Sequence, residues 1–408
     1  MNYFKTTLSG LTWTAGQRGG VRGFNILKTV LLARLLTPAQ FGFFGISAIS
    51  LGLLDIATET GINVFLLQEN DSWTDYVDTA WVISILRGLF IFLLIMITAP
   101  AVSGFFSSPQ SLYLLYLISL VPFIRGFINP SCIRFQKQLQ FRQEFYYRSI
   151  LILVETLITV ILGLYLRSAQ ALVWGLTGSA ALEVALSFFI FSPRPRLQFQ
   201  PAQARIILSR GKWVTGFGLL NYIFTNLDNI VVGRLLGSAS LGIYQNSYRI
   251  STVPLTEIND VFYKVTFPVF TQMKARNRSL YPAAVRSILA VSVPVVFVGL
   301  GIAFFAGPLV RLLLGPGWEA AIGPIRILSY LGIVRGISLS VNSLFMALKK
   351  QVFVTFTSFI SVFGLGITLV PLVHRFGLLG AAYSALIGSL LAFPVSFFLA
   401  ARTLKYAR

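Results

Sequence analysis

The sequence predicts an all-α polytopic membrane protein, with about twelve transmembrane helices arranged as two parallel six-helix bundles around a central cavity. Three observations carry that prediction. The 408-residue chain is 55% hydrophobic and only 11% charged, with a mean hydropathy of +0.77. Soluble domains carry about 25% charged residues, which sets an ordinary water-soluble enzyme aside. Apolar windows long enough to cross a bilayer recur along the whole chain, and the second half repeats features of the first at a fixed offset.

A span needs about 20 mostly apolar residues. Such windows lie near 11–36, 40–67, 77–99, 110–128, 145–166 and 169–191, then near 209–236, 239–272, 283–306, 322–346, 352–373 and 378–401. Their apolar runs are continuous, without the period-two alternation of a transmembrane barrel strand. Pro122, Pro254, Pro294 and Pro394 fall inside windows and predict kinks rather than span ends. Arg18 and Arg22 interrupt the first apolar run and no small-x-small site follows, so a cleavable signal is not expected.

Lys and Arg total 33 against 13 acids, a net charge of +20. These bases are spread over many connectors instead of forming one soluble basic face, so no nucleic-acid partner is expected. Lys5, Arg134, Lys137, Arg142, Arg148, Arg194, Arg196, Lys274, Arg276, Lys349, Lys350 and Arg402 lie at the termini or in even-numbered connectors. The odd-numbered connectors hold only Arg167, Arg311 and Arg375. The positive-inside rule therefore puts both termini in the cytoplasm, although the second connector carries Glu69, Asp71, Asp75 and Asp78. Segment 132–148 alternates bases with Phe135, Phe141, Phe145 and Tyr146 and reads as lying along an anionic leaflet, a contact with membrane lipids.

The single cysteine, Cys132, and the single histidine, His374, exclude internal disulfides and any Cys/His metal cluster. No Walker A sequence is present. No cofactor, no metal and no catalytic residue are expected. No connector exceeds roughly twenty residues, too few for a soluble catalytic domain.

The internal repeat has an offset of two hundred residues. Ala33-Arg34-Leu35-Leu36-Thr37 is matched by Gly233-Arg234-Leu235-Leu236-Gly237. At the same offset Trp13 matches Trp213, Gly16 matches Gly216, Gly42 matches Gly242 and Ser47 matches Ser247. Residues 1–200 are thus expected to form an N-terminal six-helix lobe, with a linker from 192, and residues 201–408 a C-terminal one. Six spans is an even number, so both copies enter from the same side and form a parallel repeat.

Several bases fall inside spans, where a central Arg costs on the order of 3 kcal/mol or more without water or a partner. Thr14, Arg18, Arg22, Asn25 and Thr29 share a polar stripe on the first span, with Leu27, Val30 and Leu31 opposite. The first span is therefore expected to line a hydrated cavity. Its repeat partner carries Tyr222, Thr225 and Asn229 in the same positions, with Asp228 beside them and no positive charge. Asp55 and Glu59 are expected on one face of the second span, and Arg249, Glu257, Asp260 and Lys264 on one face of the eighth. Two readings of Asp55, Glu59 and Asp228 stand: charge pairing with the arginines, or a site for a coupling proton or sodium ion. A cationic cavity without metal ligands implies an anionic cargo, and Arg suits phosphate through its bidentate fork. Arg18, Arg22 and Asn25 are then the candidate head-group ligands, against a purely structural pairing of the arginines with Asp55 and Glu59.

Arg34 to Gly42, Glu59-Thr60-Gly61, Arg134 to Arg142, Leu241-Gly242-Ile243-Tyr244, Tyr248-Arg249, Phe267-Pro268 and Arg375 to Ala382 together resemble the polysaccharide transporters. These are the lipid-linked oligosaccharide (O-antigen) flippases of the multidrug/oligosaccharidyl-lipid/polysaccharide exporter superfamily. The resemblance implies two six-helix lobes, alternating access, and a bacterial inner-membrane protein of polysaccharide or lipopolysaccharide biosynthesis. It implies a cargo of undecaprenyl-diphosphate-linked oligosaccharide moved from the inner to the outer leaflet, either alone or beside a glycan polymerase or other glycan-assembly protein. The alternatives are an ion-coupled drug or organic-cation antiporter of the same superfamily, and a non-catalytic scaffold of a glycan-assembly complex.

Overall fold

A computed structural model describes residues 3–69, 71–276 and 279–406, without the side chains of 3–15, 17, 18, 71, 72, 210–215, 217, 220 and 406. Among the described residues there is helix and no strand. In chain order the helices are α1 (Tyr3–Ala33), α2 (Pro38–Ala57), α3 (Ile62–Gln68), α4 (Val77–Phe105), α5 (Gln110–Ile118), α6 (Leu120–Arg125), α7 (Arg134–Lys137), α8 (Phe141–Leu166) and α9 (Gln170–Ile190). They continue with α10 (Pro201–Ala275), α11 (Tyr281–Phe304), α12 (Ala306–Leu313), α13 (Ile322–Ala347), α14 (Gln351–Phe376) and α15 (Leu378–Tyr406). α10 is two helical segments, 201–236 and 238–275, because Gly237 sits at φ 82° and ψ 176°.

That break stands where the repeat puts it. At Thr37, the matching position, the chain leaves α1 and caps α2: the Thr37 hydroxyl accepts from the Gln40 N–H, the Gln40 side chain accepts from the Thr37 N–H at 3.0 Å, and Pro38 opens the helix. Gly237 has no side chain for such a cap and instead uses a backbone conformation closed to most L residues. The matched serines also agree. Ser47 and Ser247 are both fully buried and donate back to Phe43 and Ile243 carbonyls at 3.1 and 2.8 Å.

Eight helices among the described residues are long and apolar enough to cross a membrane, or nine if the bent pair Gln110–Arg125 and Pro130–Lys137 is one span. The other expected spans coincide with α1 and the two segments of α10, which are helical but carry more of the intramembrane charge, including Arg22, Lys28, Arg234 and Arg249. Phe189, Phe297 and Phe304 are each about 80% exposed, and Val352 is 76% exposed. A surface of that kind requires lipid rather than water.

Two expected spans end differently in the structure. The second stops at Ala57, not at 67. The Thr58 hydroxyl donates to the Leu54 carbonyl at 2.7 Å, Gly61 turns the chain at φ 66°, and α3 starts afresh. Glu59 therefore lies beyond the helix that carries Asp55. The fourth span is interrupted at Ser119, because Pro122 has no N–H to offer the Ile118 carbonyl, and it bends by 73° before Pro130. Pro254, Pro294 and Pro394 do lie inside continuous helical segments.

Two compact units divide the chain, Met1–Asn226 and Leu227–Arg408. In the first, Ile91 and Ile95 of α4 pack against Leu114, Leu115 and Ile118 of α5 and Val173 of α9. A Cβ on Gly88 would stand 2.5 Å from the Pro122 carbonyl oxygen, so only glycine lets α4 and α6 meet this closely. The start of α10 belongs to this unit: Ala204 and Ile207 pack on Phe65, Leu66 and Ala80, and Thr79 donates to Gln203 at 2.7 Å. In the second unit, Leu255 packs on Val291 and Val295, and Phe270 on Val341, Leu344, Ala400 and Leu404.

Candidate functional site

The polar groups of the first unit form two sets. On α1, Arg22 and Asn25 are half-buried, while the Arg18 side chain lies outside the described residues. Thr29 is 7% exposed and donates to the Asn25 carbonyl at 2.8 Å, the usual way a hydroxyl satisfies itself inside a helix. Ile26, Leu27 and Leu31 are open to the surroundings. Lys28, one step off the stripe, forms an ion pair with Glu155 of α8, and both side chains are nearly buried. Glu155 thereby gains a counter-charge that sequence spacing does not reveal.

The second set is built on the end of α2. Arg87 of α4 reaches Asp55 at 3.4 Å and Glu59 at 3.5 Å. It also donates to the Asp55 carbonyl at 2.6 Å and to the Thr58 hydroxyl at 3.3 Å. Glu59 in turn accepts from the Gly61 N–H at 3.0 Å. Asp55 and Glu59 meet through Arg87, although Glu59 has left the helix. One arginine holding a free-running C-terminal turn explains why Glu59 keeps its neighbour after α2 ends.

Tyr222 and Thr225 lie on α10 within the first unit. Tyr222 donates to the Ile49 carbonyl at 2.9 Å and fills the space above Gly52, where a Cβ would collide with its ring. Thr225 is exposed and donates to the Asn221 carbonyl at 2.8 Å.

In the second unit Asp228 is 5% exposed. Its carboxylate accepts from the Tyr244 hydroxyl at 2.9 Å, from the Asn229 backbone N–H at 2.8 Å and from the Asn229 amide at 3.2 Å. Tyr244 is fully buried and its ring lies 6.2 Å from that of Tyr248. The Tyr248 hydroxyl accepts from Arg335 of α13, whose guanidinium also sits 5.8 Å from the Tyr248 ring and donates to Ser389 at 3.3 Å. Ser389 continues to Ser361 at 3.4 Å. Asp228 is thus linked to Arg335 through two tyrosines one helical turn apart, and the polar chain runs on from Arg335 to Ser389 and Ser361. Arg249 is exposed and Glu257 and Asp260 half-buried on the second segment of α10, and none of the three lacks a partner.

Arg87 and Arg335 are the residues at the centre of these polar clusters that spacing did not assign. Their partners are far away in sequence, and the signal available was the cost of an unpaired arginine at membrane depth. Among the described residues no group of three His, Cys, Asp or Glu side chains is placed to hold a metal ion.

Comparison with known proteins is decided by the family model described as "Polysaccharide biosynthesis protein", which matches residues 31–323. The chain belongs to this polysaccharide biosynthesis protein family. Among its relatives is "Lipopolysaccharide biosynthesis protein WzxC" of Escherichia coli (strain K12), 24% identical over 87% of this chain and 73% of that protein. "Teichuronic acid biosynthesis protein TuaB" of Bacillus subtilis (strain 168) is 24% identical over 81% of this chain and 69% of that protein. Among solved structures, the lipid II flippase MurJ in an inward closed conformation shares the fold, with a TM-score of 0.77, 12% identity, and coverage of 95% of this chain and 87% of that one. An inward-facing MATE-family multidrug transporter of the MOP superfamily gives 0.71 at 16% identity, covering 94% of each chain. The polysaccharide biosynthesis family member described here is therefore a multi-pass helical membrane protein with the fold of these solved structures.

Proposed function

We propose that the protein flips an undecaprenyl-diphosphate-linked oligosaccharide from the inner to the outer leaflet of the bacterial cytoplasmic membrane by alternating access. Arg18, Arg22 and Asn25 hold the diphosphate. The observation that carries this reading is the charge balance on the first unit. Glu155 neutralises Lys28, and Arg87 supplies a counter-charge to Asp55 and Glu59. Even with both of those acids counted against Arg18, Arg22 and Arg87, the polar groups keep a positive excess. A positive excess at membrane depth favours a phosphate-bearing cargo and opposes a cationic drug. The relatives' names place them in lipopolysaccharide and teichuronic acid biosynthesis, which fits a saccharide cargo.

On this reading Asp55 and Glu59 are charge partners of Arg87, and Asp228 is the acid end of the second unit's polar chain. Both termini lie in the cytoplasm, which labelling of the native Cys132 from that side alone would support. Exclusive labelling from outside would reverse the topology.

The function is tested with purified protein in vesicles carrying an undecaprenyl-diphosphate oligosaccharide, followed by an impermeant sugar-binding probe. Exposure of inner-leaflet sugar well above protein-free vesicles is expected. Exposure no greater than in protein-free vesicles, with proton or sodium gradients imposed in either direction, overturns the proposal in favour of the antiporter or scaffold.

A further inference from the structure

The second unit has a groove of about 580 Å³ between α11 and α13, lined by Leu300, Ala303, Phe304, Arg326 and Tyr330. Its size is that of an ordinary small-ligand site. Both helices are long and apolar enough to cross the membrane, so an outward-facing groove on them opens to lipid. Its two ends differ in chemistry. Phe304 is the last residue of α11 and Arg326 lies in the second turn of α13, so they share one membrane end. Leu300 and Tyr330 each lie one turn, about 6 Å, nearer the middle of the bilayer.

The connecting helix fixes that end at the bilayer surface. α12 buries Ala306 and Val310 while Arg311 and Leu312 are exposed, the pattern of a helix lying in the interface. Arg326 is exposed, and among the described residues it makes no ion pair or hydrogen bond. A guanidinium at headgroup depth above an apolar slot matches one lipid: phosphate on the cation, chain along Leu300, Ala303 and Phe304.

The geometry points to this groove as a binding site for an anionic phospholipid with a single phosphodiester charge, of the phosphatidylglycerol type. One guanidinium balances one such charge. A diphosphate carries more charge than the single cation in this groove can balance, so an isoprenoid diphosphate is not its match. The lipid would bridge α11 and α13 along the groove at that end.

The test uses the full chain, reconstituted in vesicles of equal phosphatidylglycerol and phosphatidylcholine, then released for native mass spectrometry of retained lipid. Wild type is expected to retain one phosphatidylglycerol with a preference of at least about fivefold, and Arg326→Gln to bring that preference to parity. Arg326→Lys keeps the charge and retains part of the preference, which separates loss of binding from loss of folding. Ala303→Trp fills the slot and lowers retention while Arg326 is intact. An unchanged preference in Arg326→Gln overturns the proposal. So does displacement of phosphatidylglycerol by equimolar undecaprenyl diphosphate, which would assign the groove to the isoprenoid instead.

Discussion

Lys28 on α1 and Glu155 on α8 form an ion pair in which the two side chains are 12% and 13% exposed. Neither charge has enough water around it to remain alone at low cost. Removing one partner of a buried pair costs about 3–5 kcal/mol, whereas replacing both with apolar groups of similar size is often neutral. Glu155→Leu should therefore lower the thermal unfolding midpoint sharply, and Lys28→Met with Glu155→Leu should recover most of it. If the double variant is as unstable as the sum of the singles, the pair does not hold α1 to α8.

The Arg87 cluster is predicted to behave differently. Arg87, Asp55 and Glu59 side chains are 24%, 39% and 38% exposed, so solvent screens their attraction. A double-mutant cycle with Arg87→Gln and Glu59→Gln should give a coupling of about 0.2–1 kcal/mol in unfolding measurements. A coupling several times larger would mean the cluster is dry and contributes chiefly to stability.

Tyr248 accepts from a charged donor, and such bonds contribute about 1.5–3 kcal/mol. Tyr248→Phe should cost that much, and Arg335→Met together with Tyr248→Phe should cost less than the two singles added. Strict additivity in chemical unfolding would show that the two side chains do not act through one another.

Gly237 and Gly216 offer a matched comparison, since among the described residues neither has an atom beyond its own helical turn and chain neighbours within 4 Å of where a Cβ would stand. Packing is removed as a variable and only backbone conformation remains. Gly237→Ala forces alanine into φ 82° and should destabilise by about 1–3 kcal/mol. Gly216→Ala, in a helical segment, should stabilise by about 0.5–1 kcal/mol. Equal effects of the two substitutions would contradict the break in α10.

The break at Gly237 was legible in the sequence because the two-hundred-residue repeat set it against Thr37, and span positions were legible because apolar runs are dictated by bilayer thickness. The end of α2 was not. Thr58 and Gly61 stop the helix through a local hydroxyl bond and a left-handed turn, while the surrounding residues stay apolar enough to hide the stop. Pairing was the other gap. The intramembrane bases could be named from sequence, but Arg87 finds Glu59, Lys28 finds Glu155 and Arg335 finds Tyr248 only through helix packing, across sequence distances that no spacing rule reports. The polar stripe on α1 was visible because Arg22, Asn25 and Thr29 are related by helical periodicity alone.

The central claim is that the arginines of α1 hold the phosphate of the cargo, and Arg22 tests it most directly. Flipping of undecaprenyl-diphosphate oligosaccharide would be measured in vesicles for wild type, Arg22→Gln and Arg22→Lys, with thermal unfolding of each preparation alongside. Loss of a charge-assisted phosphate contact, about 1.5–3 kcal/mol, predicts a fall of roughly tenfold or more for Arg22→Gln at unchanged stability, with partial retention for Arg22→Lys. An undiminished rate in Arg22→Gln would contradict the claim and leave Arg22 a structural residue of the first helix.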